Sequence, residues 1–447
     1  MNAQDQSTDP KGAQSALMSA TVSRRRLIAG GAVGAAMLAA STDARSHGSP
    51  VGNVANVRDP AYAGGAVGDG TNDDTAAIQA AFGSGKGVIY FPAGIYKVIG
   101  TAGSPVLTVA NRSLVVMGDG AQATQILWDP GADRNGANDH LIQWSTTTTS
   151  ASDRLEVREI TLRTKWNVGT AIHATRAAAA SELSQRALIE NVAVAGSQND
   201  GLKSFMRAVY LDSLEWSRIV NLSAESNWRS GTVGIEITSG SPGSGLKATV
   251  DYLHHVSIVN FETGILFGGY CEGLTLTDSN IIGCGTGLIT GLSQEGLPGV
   301  WVRGCHFNCY GIGIGLHNCA QAFINDNLIY MDNGNGQYYI AIHVGQFASG
   351  IEKDVMIRGN TIFRIPPDAN EFVVPNSWGV FIPGSAAKES VLVSDNVFVL
   401  MDIGVLSQAG TAGILVTDTN RYRACGTPFV NGGGAANLFQ GSIAPPT

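Results

Sequence analysis

Acid–base side chains recur at one position of a short apolar pattern. His173, Tyr210 and Glu236 each directly follow an Ile or Val in a Gly-Ile-x-Ile-like segment, and Asp212 comes two residues after Tyr210. Because side chains alternate along a strand, these four groups are expected on one face of a sheet if the segments are stacked strands. An imidazole, a phenol and two carboxylates on one face can exchange protons with a bound molecule.

Two reaction types fit this spacing. With strands roughly 4.8 Å apart, Asp212 and Glu236 would lie roughly 7–8 Å from each other. Two carboxylates in that range can act as acid and base on either side of a glycosidic bond, with inversion. Alternatively, Tyr210 and His173 can act as acid and base in β-elimination at a uronate linkage, which needs a cation near the substrate carboxylate.

Other side chains near this face are candidates for substrate binding. Arg176, Arg229 and Lys247 can supply the cation that elimination needs. Trp228 can stack on a sugar ring, and Glu262 is expected in a turn beside the same face. Arg229, Lys247 and Trp228 belong to a long insertion between two copies of the repeat.

A second surface competes with the first. Glu190, Glu215, His254, Thr277 and Arg303 are predicted to form the outward column of another strand, flanked by Tyr252 and Trp301. Acids, a histidine, an arginine and aromatics along a groove also suit a glycan, although a subunit interface or a solvated face would look the same. The adjacent pair His254-His255 is not expected to bind a metal, because neighbouring strand residues point in opposite directions. No metal site or cofactor is predicted, and no motif supports calcium, whose involvement stays open.

The elements that must position these residues come from a repeat. From about residue 153, one pattern recurs ten times at intervals of 22 to 39 residues, as in Ile324-Asn325-Asp326-Asn327-Leu328-Ile329. Two columns of the pattern are large and apolar in nineteen of twenty places, with Arg421 as the exception. A period of this length indicates a solenoid whose coils bury their apolar columns against each other. The copies are anchored at Ile160, Val192, Ser217, Val256, Ser279, Cys305, Asn327, Asn360, Asn396 and Thr419.

Two features mark the ends of the solenoid. Asn327, Asn360 and Asn396 predict a turn in which stacked asparagines satisfy buried amides, and Arg421 predicts a frayed or capped last coil. Before the repeat, Asp73 or Asp74 is predicted to cap a helix that carries Ile78, Ala81 and Phe82 on one face. Residues 87–98 then predict a strand, a Pro-Ala-Gly turn and a second strand.

The opening GDGTNDDTAAIQAAF followed by GVIYFPAGIYKV resembles the pectate-lyase-like superfamily, which includes rhamnogalacturonase-like and epimerase-like proteins and phage tailspikes. The resemblance implies an all-β chain: a single-stranded right-handed parallel β-helix, here of about ten coils with an N-terminal capping helix. It also implies action on acidic or decorated glycans, often as a homotrimer. The motifs of the polygalacturonase branch are absent before Gly234, Gly264 and Gly313, so a lyase is narrowly preferred to a hydrolase. A non-catalytic glycan-binding or adhesin-like β-helix is the remaining alternative.

Composition and charge bound the rest. Arg24-Arg25-Arg26 followed by a short apolar run resembles a twin-arginine leader, so residues 1–45 are predicted to direct export to the periplasm or outside the cell, with no stable membrane anchor. Residues 46–150 are assigned to the cap and first coils, 151–430 to the β-helix and 431–447 to a tail. The formal charge of −8 and the lack of a basic stripe argue against nucleic acid. The six cysteines show no metal spacing and are expected to be buried or to form one or two disulfides.

Overall fold

The computed structural model describes most of the chain. The described residues are 51–147, 153–177, 186–196, 203–227, 230–240, 248–269, 271–291, 299–331, 338–345, 353–365, 374–384, 389–408, 413–432 and 438–439. They form a parallel β-helix, as predicted: three parallel sheets run along the stack, and each coil contributes a strand to each sheet in turn. Some strands continue through a bend and belong to two sheets.

Sheet 1 holds the strands at the start of each repeat copy. In stacking order these are β1 (Val54–Asn56), β3 (Val88–Phe91), β6 (Leu114–Gly118), the first parts of β9 (Arg154–Thr164), β11 (Arg186–Ala195) and β13 (Arg218–Glu225), then β15 (Ala248–His254), β18 (Cys271–Thr277), β20 (Val300–Arg303), β22 (Gln321–Asn325), β25 (Lys353–Arg358), β28 (Glu389–Ser394), β31 (Ile414–Val416) and β34 (Leu438–Phe439).

Sheet 2 follows sheet 1 after a short turn in each coil. Its strands are β2 (Asp69–Asp73), β4 (Gly94–Val98), β7 (Thr124–Trp128), the second parts of β9, β11 and β13, then β16 (Ser257–Val259), the first parts of β19 (Asn280–Thr290) and β21 (His306–Leu316), β23 (Leu328–Met331), β26 (Thr361–Arg364), β29 (Val397–Val399) and β32 (Arg421–Arg423).

Sheet 3 carries the Gly-Ile-x-Ile-like segments. Its strands are β5 (Leu107–Ala110), β8 (His140–Thr146), β10 (Val168–Arg176), β12 (Phe205–Asp212), β14 (Val233–Thr238), β17 (Thr263–Phe267), the second parts of β19 and β21, β24 (Tyr339–Val344), β27 (Val374–Ile382), β30 (Met401–Ser407) and β33 (Thr427–Asn431).

The apolar columns of the repeat are the core of the coils. Val157, Ile189, Leu253 and their successors on sheet 1 are registered on each other and buried, and the same holds on sheet 2. One copy was misaligned by five residues. Its sheet 1 position is held by Ile219, which pairs with Ile189, and not by Leu214, which is buried in the preceding turn. Both residues are apolar, so the pattern alone could not separate them.

The asparagine turn is confirmed. The Asn327 side chain donates to Asn360 Oδ1 at 2.9 Å, Asn360 donates to Asn396 Oδ1 at 2.9 Å, and each Oδ1 also accepts the backbone N–H of the preceding asparagine. The ladder continues to Asn420, one residue beyond the predicted anchor. The prediction of a break at Arg421 is therefore wrong, because Tyr422 takes the apolar position and stacks on Phe398 at 5.2 Å.

Glycine in the Gly-Ile-x-Ile segments has a steric cause. A Cβ on Gly264 would lie 2.6 Å from the carbonyl oxygen of Gly287 in the next coil and 2.6 Å from Ile281 Cγ2. The position therefore faces the interior, where sheet 3 meets the apolar column of sheet 2. Alanine or glycine stands there in Ala171, Ala208, Gly234 and Gly287 as well.

The single helix of the described residues covers the N-terminal part of the stack. α1 spans Thr75–Phe82 and buries Ile78, Ala81 and Phe82, as predicted. Asp74 is at the N-cap position but makes no capping bond. Its carboxylate instead accepts the N–H groups of Val67 and Gly68 at 2.7 and 3.1 Å, so it holds the preceding loop.

All six cysteines lie in the described ranges as buried free thiols, so the expectation of burial is correct and no disulfide is formed. Burial raises the pKa of the Cys284, Cys305 and Cys319 thiols to about 12, which keeps them protonated and unreactive. Within the part of the chain that the structure describes, no helix has the length and apolar character needed to span a membrane.

Candidate active site

The predicted acid–base residues share one face of sheet 3. His173 on β10 is registered with Tyr210 on β12, which is registered with Glu236 on β14. Asp212 lies two residues further along β12 and pairs with Thr175 and Thr238. The alternation of side chains thus places these groups on neighbouring coils.

A stack of three rings forms the centre of the site. The His173 and Tyr210 rings are nearly parallel, with centroids 4.7 Å apart and an interplanar angle of 4°. The His140 ring lies on the other side of His173 at 4.3 Å. His140 was missed by the sequence analysis because it stands on β8, before the first recognised copy of the repeat.

An arginine that the sequence analysis also missed completes the cluster. Arg207 Nε forms an ion pair with Glu236 Oε2, and its guanidinium carbon lies 5.4 Å from the centroid of the Tyr210 ring. Simple alternation places Arg207 on the inner side together with Val209. The chain bends at Ala208, whose small side chain takes the interior position, and Arg207 is left partly exposed on the outer face.

The protonation states follow from burial. Burial, helped by the nearby His140 and Arg207, lowers the pKa of His173 to about 3, and burial lowers the pKa of His140 to about 4. Both imidazoles are therefore neutral at pH 7. Burial raises the pKa of Tyr210, so its phenol stays protonated.

The imidazole nitrogens of this stack have unmet hydrogen-bonding capacity. Both ring nitrogens of His173 and Nδ1 of His140 are buried and have no hydrogen-bond partner among the described residues. A buried polar atom without a partner costs about 1–3 kcal/mol. Such an arrangement is typical of a site where a bound molecule or a water supplies the partner.

The two carboxylates proposed for hydrolysis are held apart by their partners. Asp212 Oδ1 accepts from Ser213 Oγ at 2.8 Å, at the end of β12. Glu236 is buried and directed toward Arg207, which stands near the beginning of β12. While this ion pair persists, the Glu236 carboxylate does not face a water shared with Asp212.

Arg176 is not available for substrate, and its assignment is wrong. Its side chain is 1% exposed, and Nη2 lies 3.0 Å from Glu215 Oε1, also buried. Arg176 has the same parity as Ile172 and Ala174 on β10, so the alternation of the strand turns it inward. Glu215 is likewise not part of the second surface, because Val220 occupies that register between Glu190 and His254.

The other binding candidates are placed as follows. Glu262 is exposed and accepts the backbone N–H of Gly231 and the Ser230 hydroxyl, the latter at 3.5 Å. It thereby holds the turn that precedes β14. Trp228, Arg229 and Lys247 lie outside the described residues.

His254 and His255 do lie side by side, contrary to expectation. His255 has a φ of +52°, which ends the strand and brings the two rings to 3.8 Å. Together with Asp278 they place three donor atoms within 4.8 Å of one another. Imidazole nitrogens suit zinc or another transition metal more than calcium, which prefers oxygen ligands.

The family comparison agrees with this architecture. Residues 54–289, more than half of the chain, match the model of the family described as rhamnogalacturonase A/epimerase, pectate lyase-like. The chain belongs to this family. The matched residues include the whole ring stack, Arg207 and Glu236. None of the curated proteins matches the chain.

Several solved structures of carbohydrate-acting proteins share the fold. The DFA-IIIase of Arthrobacter chlorophenolicus A6 has a TM-score of 0.58 and 14% identity, over 83% of this chain and 95% of that one. The A-module of the Azotobacter vinelandii mannuronan C-5 epimerase AlgE6 has a TM-score of 0.51 and 17% identity, over 88% and 100%. Tailspike protein 3 of bacteriophage CBA120 has a TM-score of 0.54 and 11% identity, over 86% and 62%.

These identities establish the fold and leave the reaction open. The family member described here is a carbohydrate-active β-helix protein, and its structural neighbours include an epimerase and hydrolases. The choice among reactions therefore depends on the side chains of sheet 3.

Proposed function

We propose that the protein is an exported enzyme that cleaves a polysaccharide by β-elimination at a uronate linkage, with its active site on sheet 3. The observation that carries this proposal is the arrangement around Tyr210, whose protonated phenol lies between a neutral imidazole and a guanidinium. These are an acid, a base and a cation, the three groups that β-elimination needs.

Each group has a defined part in the reaction. Arg207 pairs with the uronate carboxylate and stabilises the negative charge that develops when the α-proton leaves. His173 accepts that proton, and the electron pair forms the new double bond as the bond to the leaving oxygen breaks. Tyr210 donates its proton to that oxygen. Because both His173 nitrogens are covered, the imidazole can act only after its ring turns or substrate displaces His140.

Inverting hydrolysis by Asp212 and Glu236 is the first alternative. It requires Glu236 to leave Arg207, and the buried ion pair disfavours this. A non-catalytic glycan-binding protein is the second alternative. It is favoured by the row on sheet 1 in which Trp301 stacks on Phe323 with centroids 5.9 Å apart and an interplanar angle of 6°.

One digestion experiment separates these functions. The full chain is incubated with a panel of uronate-containing and neutral polysaccharides, while the ultraviolet absorbance of a new double bond and the product size are followed. Elimination predicts shorter chains with the absorbance. Shorter chains without it refute the lyase and favour the hydrolase, and unchanged chains across the panel favour a binding protein.

Variants then test the site. Tyr210→Phe is expected to lower the rate by about 10²- to 10⁴-fold, the usual contribution of a general acid. Tyr330→Phe is the matched control, because Tyr330 stacks between other rings on sheet 2. If Tyr210→Phe is fully active and Glu236→Gln is inactive, the carboxylates carry the reaction. If both keep full activity, sheet 3 is the wrong surface.

Export is a separate part of the proposal. Residues 1–45 fused to a reporter are expected to require the twin-arginine route, and Arg24→Lys with Arg25→Lys is expected to block export. Normal export of that double variant would contradict the assignment. Assembly as a homotrimer and dependence on calcium are tested by light scattering and by activity after chelation.

A further inference from the structure

We propose that a pocket at the beginning of sheet 1 binds the carboxylate of a single uronate residue. The pocket lies on the strands β9, β11 and β13 and has a volume of about 140 Å³. That is room for on the order of ten water molecules, comparable with one sugar ring. Its polar and aromatic lining consists of Arg154, Arg186, Arg218, Glu156 and Trp216.

Three exposed arginines converge here in a chain whose net charge is −8. Arg154 and Arg186 are registered directly on neighbouring strands, an arrangement in which like charges repel. Arg218 stands on the next strand, two residues after Trp216. An anion bound between these guanidinium groups would relieve the repulsion.

The charges of the pocket are only partly neutralised by the protein. The nearly buried Glu156 is shared between Arg154 at 3.0 Å and Arg158 at 2.7 Å. Arg186 forms no ion pair with any described residue, and Arg218 lies over the Tyr252 ring at 5.6 Å. Two guanidinium forks therefore remain for a ligand, and planar forks match a carboxylate in particular.

Trp216 makes the pocket suitable for a sugar rather than a simple anion. Its side chain is 46% exposed, and its backbone has a φ of +58°, which is uncommon for an aromatic residue. The turn is held by the Trp216 N–H bond to Thr249 O at 2.7 Å and by the buried ion pair of the preceding Glu215 with Arg176. An indole fixed beside arginines offers an apolar face to a sugar ring.

The pocket is separate from the proposed active site. It lies on sheet 1, whereas the His173–Tyr210 stack lies on sheet 3 of the same coils. Binding of a single uronate depends on the pocket alone. Only its role as an outlying subsite for a uronate polymer rests on the proposed function.

Binding of monosaccharides tests the proposal directly. D-galacturonate and D-galactose are titrated into the full chain by ligand-observed NMR, since the two sugars differ in the carboxylate. Galacturonate is expected to bind and galactose to bind at least about tenfold more weakly. Arg186→Gln and Trp216→Ala are each expected to raise the Kd for galacturonate about tenfold or more. The control Arg421→Gln, an exposed arginine on sheet 2, is expected to leave it unchanged.

Three results would overturn the proposal. Galactose could bind as well as galacturonate, the two pocket variants could bind galacturonate normally, or inorganic sulfate could displace galacturonate while Trp216→Ala has no effect. Circular dichroism melts confirm that the variants are folded. Tyr210→Phe is expected to lose cleavage and to keep this binding, so failure of the proposed reaction and failure of the pocket give different results.

Discussion

The buried ring stack makes the stability of the protein depend on pH in a defined direction. In the unfolded chain His173 has a pKa near 6.5, whereas in the fold its pKa is about 3. Between these values the unfolded state binds a proton that the folded state does not, so stability is lost as the pH falls below about 6.5. Linkage with these two pKa values gives a loss of about 2–3 kcal/mol at pH 4.5.

The substitution His173→Gln isolates this contribution, because carboxylates elsewhere titrate equally in both proteins. The free energy of unfolding in urea is measured at pH 7.5 and 4.5 for the wild type and the variant. The drop is expected to be about 2 kcal/mol smaller in His173→Gln. Gln143→Ala, a non-titrating neighbour in register with His173, should behave like the wild type. Equal drops, within about 0.5 kcal/mol, for the wild type and His173→Gln would show that the ring is not held neutral by the fold.

Three further predictions concern the coils. Asn360→Ala removes four buried hydrogen bonds and is expected to cost on the order of 4 kcal/mol in urea unfolding, whereas the exposed Asn280→Ala should cost little. Gly264→Ala is expected to cost about 1–3 kcal/mol through overpacking, and Gly52→Ala, with no atom within 4 Å of its Cβ, should be close to neutral. A reducing agent is expected to leave the melting temperature unchanged, since all six cysteines are free; a clear decrease would reveal a disulfide.

The fold could be predicted from the sequence because burial repeats along the chain. Each coil places large apolar residues at the same two positions, and the register of sheets 1 and 2 follows them. The errors occurred where two solutions look alike. Leu214 and Ile219 are both buried, and only the backbone shows that Ile219 belongs to the strand.

The candidate site was predicted in part. His173, Tyr210 and Glu236 follow from strand alternation alone, because each stands one residue after a core position. Arg176 could have been excluded by the same rule, since it has the parity of the interior residues of β10. A buried charge is rare, and this made an outward position the more natural assumption.

Arg207 shows why the rest of the site could not be read from the sequence. Its outward direction depends on a bend at Ala208, and that bend exists because sheet 3 meets the side chains of sheet 2 there. The constraint comes from residues such as Ile258, some fifty positions later in the chain, against which a Cβ on the neighbouring Gly234 would collide. Alternation is local, whereas the breaks in it are set by packing between sheets. The side chain that gives the proposed active site its cation lies at such a break, so its role becomes visible only in the folded coils.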